Sequence, residues 1–342
     1  MAEEITPAGR TIAVTGAGGF IGAALCRRLA ADGATVIAID IDPAATERLP
    51  GIEFRRADTT DPADIAAALA GAELIAHTAA IVSEAGSMAE HVRVNVGGTA
   101  NLLAAAGATG AKGSAGAEGP AGAAGAVRVL HLSSVAIYGY EHVGDLGEDA
   151  PRRACGVPYI DTKSASDRLA LAAGAIVLRP GDVYGPGSMP WTVRPVQLAK
   201  SGLLGVPRGP DREMLAIYID DLVEAAVACL TRGRPGRAYT AYNTEERVTF
   251  GEYFDRCAEL AGVRRPLRLP PAAIGFAGRL EEGLARRRGR PPRITRFSPV
   301  LVDRRGRVTS TRLADELGWH PRVGIDEGMA RTAEWLREVE MI

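Results

Sequence analysis

The stretch TGAGGFIG at residues 15–22 constrains the fold of this chain more than any other segment. It lies between an apolar run at residues 11–14 and an Ala- and Leu-rich stretch at 21–31 that Gly33 closes. The run predicts a strand, the rich stretch a helix, and a glycine just past its end is a common helix stop. A second apolar run at 35–40 follows directly, so the chain opens on a strand–helix–strand unit. Gly16, Gly19 and Gly22 are spaced three and three. At such a junction the early glycines permit a tight turn and close approach of a ligand, and the last lets the helix pack on the sheet.

Further strand-like runs at 73–78, 127–133 and 175–178 alternate with helix-like segments, the pattern of a parallel sheet covered by helices. We therefore expect an α/β fold, a Rossmann-type doubly wound parallel sheet, followed by a smaller α/β lobe. The chain has 342 residues, more than one hydrophobic core usually serves, which agrees with an appended lobe. Beyond Pro180 proline and arginine increase, with amphipathic helices expected at 220–230, 249–261 and 326–339. The arginine-rich segment 264–312 reads mainly as solvated surface, with one or two arginines available to face an anionic substrate.

Composition excludes several functions. With a net charge of -1 the chain has no global field for nucleic acid or an anionic membrane, and neither is expected as a partner. Cys26, Cys155, Cys229 and Cys257 form no close pair of the kind that chelates zinc, so no metal is expected and a reduced, cytoplasmic protein is the simplest reading. The acidic start lacks the features of a secretory signal, and no apolar segment is long enough to span a bilayer. From 107 to 127 glycine occupies every third position. With Pro120 as its only proline this collagen-like period reads as a flexible surface insertion, the alternative being a trimerising stalk.

The glycine loop predicts a dinucleotide site. The pyrophosphate would sit at the N-terminus of the first helix, near Phe20 and Ile21, where unpaired N–H groups and the helix dipole favour negative charge. Asp40 ends the second strand, where a carboxylate accepts from the adenosine ribose hydroxyls and repels a 2′-phosphate. Its neighbours Ile41 and Asp42 supply no compensating arginine, which favours NAD over NADP. Asp58 is a candidate for adenine contact or an ordinary turn aspartate. Residues 1–180 are thus expected to form the NAD-binding domain, and 181–342 a substrate lobe partly interleaved with it.

Tyr159 and Lys163 form Y-x-x-x-K on an expected helix at 159–173, four residues apart and so on one face. A phenol with a pKa near 10 moves protons at neutral pH only when its phenolate is stabilised, and a nearby ammonium does that. Ser133 and Ser134 end the strand HLSS at the carboxyl edge of the sheet, where open α/β sheets bind ligands. A hydroxyl there holds a substrate oxygen as its charge changes, or satisfies the local backbone.

Together TGAGGFIG, HTAA at 77–80, NVGGT at 95–99, SSVAIYG, YIDTK, LRPGDVYGPG at 178–187, IYIDDLVEA and TSTRLADELGWHP resemble the extended short-chain dehydrogenase/reductase family, with its NAD-dependent epimerase/dehydratase and hydroxysteroid dehydrogenase-like members, over nearly the whole chain. The resemblance implies a catalytic set of Ser134, Tyr159 and Lys163, with Tyr159 as general acid or base and Lys163 holding the nicotinamide ribose. It places Ala79 beside the cofactor, gives Asn95 and Thr99 a supporting role, and implies a homodimer. Departures narrow the substrate. Val135 and Ala136 replace the Asp-Glu pair of the sugar dehydratases, and Asp182 stands where the epimerases carry an asparagine that helps bind a nucleotide diphosphate, which a carboxylate would repel. An expected arginine falls on Met214, with Arg212 nearby. TRFSPV and LRPGDVYGPG resemble the hydroxysteroid dehydrogenase branch. The reading is an NAD-dependent oxidoreductase interconverting a secondary alcohol and a ketone, with Asp182 among the substrate contacts. A nucleotide-sugar epimerase and a non-catalytic NAD sensor are the alternatives.

Overall fold

The computed structural model describes residues 5–83, 85–113, 127–140, 142–263, 266–290 and 292–342. Its centre is a seven-stranded sheet of β1 (Thr11–Thr15), β2 (Thr35–Asp40), β3 (Glu53–Arg56), β4 (Leu74–His77), β5 (Arg128–Leu132), β6 (Ile176–Pro180) and β7 (Ala238–Ala241). The spatial order is β7-β6-β5-β4-β1-β2-β3, every pairing parallel. Alternate residues of each strand face opposite sides. Ile12 and Val14 enter a core with Leu25 and Leu29 on one face, while Ala13 joins Ile37, Ile75 and Leu102 on the other. Helices bury both faces of the central strands, which are mostly apolar, whereas the edge strand β3 carries Glu53, Arg55 and Arg56.

The chain first winds outward through β2 and β3, then returns to place β4 on the other side of β1. Strand order reverses between β1 and β4, and at such a switch point the loops leaving the two carboxyl ends part to open a crevice. The helices that frame it are α1 (Phe20–Ala31), α2 (Pro62–Ala68), α3 (Gly98–Gly113), α4 (Pro158–Ala172) and α5 (Ile219–Arg232). Pro158 occupies the first turn of α4, where its missing N–H costs nothing.

One expectation is corrected. The insertion expected to be flexible from residue 107 begins as helix, because α3 continues through Gly113. Alanine between the first glycines supplies enough helix propensity to carry the turn onward. Residues 114–126 lie outside the described residues.

After β6 the chain leaves the sheet, pairs Asp182–Tyr184 with Ala216–Tyr218 in parallel and returns to add β7 at the sheet edge; beyond β7, Leu267–Leu269 pairs in parallel with Gly205–Pro207. A segment from the far end, Gly306–Val308, pairs with Gly144–Leu146. Among the described residues no helix is long and apolar enough to cross a membrane.

Candidate active site

The loop after β1 is shaped by contacts that only glycine allows. Gly16 has φ +70°, and a Cβ on it would lie 2.7 Å from the backbone of Ala79, in the loop after β4. A Cβ on Gly22 would lie 2.1 Å from the Gly16 carbonyl oxygen, so helix and loop meet without space for a methyl group. Gly18, which the three-and-three spacing passes over, is equally confined, with Ala45 Cβ 2.7 Å from its own missing Cβ. Gly19 caps α1 without a side-chain acceptor, and the first turn, with Phe20, Ile21 and Gly22, holds no acidic residue. The N-terminal amides of α1 are thus left to a ligand, and an anion suits them.

Asp40 ends β2 with its carboxylate fixed: Oδ2 accepts from the Gly18 N–H at 2.9 Å and Oδ1 from that of Asp42 at 3.1 Å. Arg48 donates to the Gly18 carbonyl and lines the same space. Sequence neighbours of Asp40 gave no hint of that arginine, which arrives from a following helical turn. Asp58 lines the cleft while accepting from the Thr60 N–H at 2.8 Å, so it is a turn aspartate in geometry and a cleft residue in position.

These groups line a cleft of about 1110 Å³, which also takes in Ala79, Ser133, Ser134, Tyr159, Lys163 and Asp182. The volume and the glycine cradle fit a dinucleotide with room for a substrate beyond it. The structure therefore gathers every candidate on one continuous surface, although they come from the ends of β1, β2, β3, β4, β5 and β6 and from α4.

Ser134 accepts from the Ala136 N–H at 3.1 Å, which leaves its own hydroxyl proton to donate. Half-buried Tyr159 stands in the first turn of α4. One turn on, Lys163 is 4% exposed and its Nζ donates to the Leu132 carbonyl at 2.5 Å. Burial pulls the Lys163 pKa down to about 8, with the Asp167 carboxylate acting in the opposite sense. Asn95 lies in a wide helical turn, Val92–Gly97, and ties the cleft wall together: Oδ1 accepts from the Ile81 N–H at 2.7 Å and Nδ2 donates to Thr162 Oγ1 at 3.0 Å. Thr99 meets His77 Nε2 at 3.1 Å, and His77 Nδ1 meets Thr15 Oγ1 at 2.7 Å, beneath the glycine loop.

Asp182 departs from expectation. Its carboxylate is not a bare negative charge in the substrate space, because Arg304 meets it with Nη1 to Oδ2 at 3.2 Å and Nη2 to Oδ1 at 3.4 Å, both residues buried. Arg304 lines the cleft, as do Arg194, Trp191 and Trp335, none of which the sequence singled out. Arg212 is instead paired with Asp303 at 2.9 Å, and Met214 is buried in the core.

A family model described as the NAD dependent epimerase/dehydratase family matches residues 12–244. A 2-alkyl-3-oxoalkanoate reductase of Stenotrophomonas maltophilia is 28% identical over 94% of this chain and 97% of its own. Sterol demethylase protein B of Methylococcus capsulatus is 30% identical over 97% of this chain and 100% of its own. Among solved structures, MoeE5 in complex with UDP-glucose and NAD is 25% identical with a TM-score of 0.72, covering 96% of this chain and 99% of that one.

Proposed function

Because the chain belongs to the NAD-dependent epimerase/dehydratase family, and is an enzyme whose cofactor is NAD, we propose that it interconverts a secondary alcohol and a ketone with Tyr159 as the proton-transfer group. The observation that carries this reading is the placement of Ser134, Tyr159 and Lys163 on the cleft that the glycine loop and Asp40 also line. Bound NAD supplies the hydride acceptor for oxidation and, once reduced, the donor for reduction. In oxidation the alcohol proton passes to the Tyr159 oxygen, and in reduction the phenol returns it. Ser134 donates to the substrate oxygen, the donor left free by its bond from Ala136. Lys163 holds positive charge beside Tyr159 and has hydrogens left for a ribose, since Leu132 takes one of three.

Gly16, Gly19 and Gly22, the amides of Phe20 and Ile21, and Ala79 hold the dinucleotide, with Asp40 at the ribose and Asp58 near the base. On this reading residues 1–180 hold the cofactor and 181–342 face the substrate from a partly interleaved lobe. The apolar side chains of Met189, Trp191, Leu301 and Trp335 on that side suit a hydroxysteroid-like or other largely apolar alcohol. With Val135 and Ala136 after Ser134, no acid is placed there to expel water. A cytoplasmic homodimer completes the proposal.

Purified protein incubated with NAD and a panel of sterols and cyclic alcohols should show growth of the NADH band, lost in Tyr159→Phe while NAD binding persists. The likeness to a UDP-glucose complex favours a second reading, a nucleotide-sugar epimerase. Turnover of a UDP-sugar without net NADH, alongside no reduction of NAD by any alcohol, would establish that reading instead.

A further inference from the structure

The Asp182–Arg304 pair has features that a merely structural ion pair does not need. Both residues are more than nine-tenths buried, yet both line the cleft. Arg304 gives Asp182 one hydrogen from each Nη, and its buried Nε has no hydrogen-bond partner among the described residues. A guanidinium carries five N–H donors and Asp182 takes two of them, so Arg304, which lines the cleft, has further hydrogens to offer. Asp182 is the more fully engaged partner at Oδ2, which also accepts from the Leu215 N–H at 3.1 Å.

The location is also specific. The Arg304 guanidinium lies 5.5 Å from the centre of the Tyr140 ring, and Tyr140 packs in one cluster with Tyr159 and Leu301. An oxygen held by Arg304 is thus near the proposed proton-transfer group, across an aromatic and aliphatic surface. Charge then decides what kind of oxygen suits it. Asp182 cancels the guanidinium charge, and a second carboxylate or a phosphate on the opposite edge would face Asp182 across a few ångströms of poorly solvated space. An uncharged acceptor receives the hydrogen bond without that repulsion.

We propose that Asp182 and Arg304 form a charge-compensated substrate anchor, in which Arg304 donates to a second, uncharged oxygen of a mainly apolar alcohol or ketone and Asp182 disfavours anionic analogues. The substrate class is therefore a ketone or alcohol bearing an additional carbonyl, ester or hydroxyl oxygen, not a carboxylate or diphosphate. The inference rests on the alcohol–ketone reading and adds the part of the substrate remote from the reacting carbon.

Three probes of one chain length test it with NADH: a medium-chain β-keto ester, its free β-keto acid, and the simple ketone. Wild-type enzyme should prefer the ester to the acid in kcat/KM. Asp182→Asn, which frees the Arg304 charge, should raise the acid-to-ester ratio about 10-fold or more. The double variant Asp182→Asn/Arg304→Gln, which leaves no unpaired buried charge, should lose about 10- to 100-fold on the ester relative to the simple ketone. Reduction of the ketone with an acid-to-ester ratio that Asp182→Asn does not move overturns the anchor alone. No turnover of any probe, together with no reduction of NAD by the alcohol panel, overturns the alcohol–ketone reading and the anchor with it.

Discussion

Arg179 grips Asp167 with two prongs, Nε to Oδ2 at 2.8 Å and Nη2 to Oδ1 at 2.9 Å, one helical turn beyond Lys163. Arg152 adds a third bond to Asp167 at 2.6 Å, and Arg179 also donates to the Tyr138 hydroxyl at 2.8 Å and the Glu148 carbonyl at 2.6 Å. Burial alone would push the Asp167 carboxyl up, but Arg179 and Arg152 together hold it below the usual carboxylate range. The network fixes α4 on the strand that carries Arg179, and so fixes the height of Lys163 and Tyr159 above the sheet.

Removing one partner of that pair leaves the other charge buried without compensation. Asp167→Ala should cost about 3–5 kcal/mol in urea unfolding, far more than removal of a surface pair such as Arg10 with Glu73. A loss within the range of a surface pair would show that the network does not hold α4.

The buried Lys163 ammonium should make function and stability oppose each other. Its folded pKa of about 8 lies below the unfolded value of 10.5, so the unfolded chain binds the proton more tightly. The penalty is complete below about pH 8 and fades as pH rises toward 10.5. Lys163→Met should abolish turnover yet be more stable than wild type by about 1–3 kcal/mol at neutral pH, in protein free of cofactor. Denaturant titrations from neutral to alkaline pH should show that gap narrowing, and a gap that is constant or widening refutes the assignment.

Two buried histidines predict acid sensitivity. Burial, with the Lys163 charge second, brings His77 down to about 3 from 6.5, and His131, whose two ring nitrogens have no hydrogen-bond partner among the described residues, is lowered in the same direction. Folded histidines stay neutral where the unfolded chain takes up protons, so stability falls as pH drops below about 6.5. His131→Leu should flatten that decline and, by removing two unsatisfied polar atoms, leave neutral-pH stability equal or higher. Thermal melts between neutral and mildly acidic pH measure both.

Gly22→Ala tests the proposed cofactor loop. With the Gly16 carbonyl 2.1 Å from the added carbon, the backbone must shift, and NAD affinity by calorimetry should fall about 10- to 100-fold. Gly71→Ala is the control for general strain, since a Cβ there meets nothing within 4 Å and only its positive φ is disturbed.

The strand–glycine turn–helix unit was legible because its signals are local. A strand, a glycine-spaced turn, a helix and an acid one strand later are all encoded by neighbouring residues, and TGAGGFIG with Asp40 identifies them. The Tyr159 and Lys163 spacing was readable for the same reason, since one helix sets it. Even here locality had limits: Gly18 matters because Ala45 crosses above it, which a glycine spacing does not express.

By itself the sequence determined the strand–helix alternation, the glycine turn and the residue types on one helix face, because φ/ψ preferences and side-chain periodicity act over a few residues. Only the tertiary structure decided which of two adjacent arginines enters the cleft: the Arg304 side chain is 4% exposed beside Asp182, while that of Arg305 is 52% exposed. Composition cannot separate such neighbours. The choice is made by the partner a side chain meets across 122 positions of sequence, and a buried charge persists only where packing delivers its counter-charge.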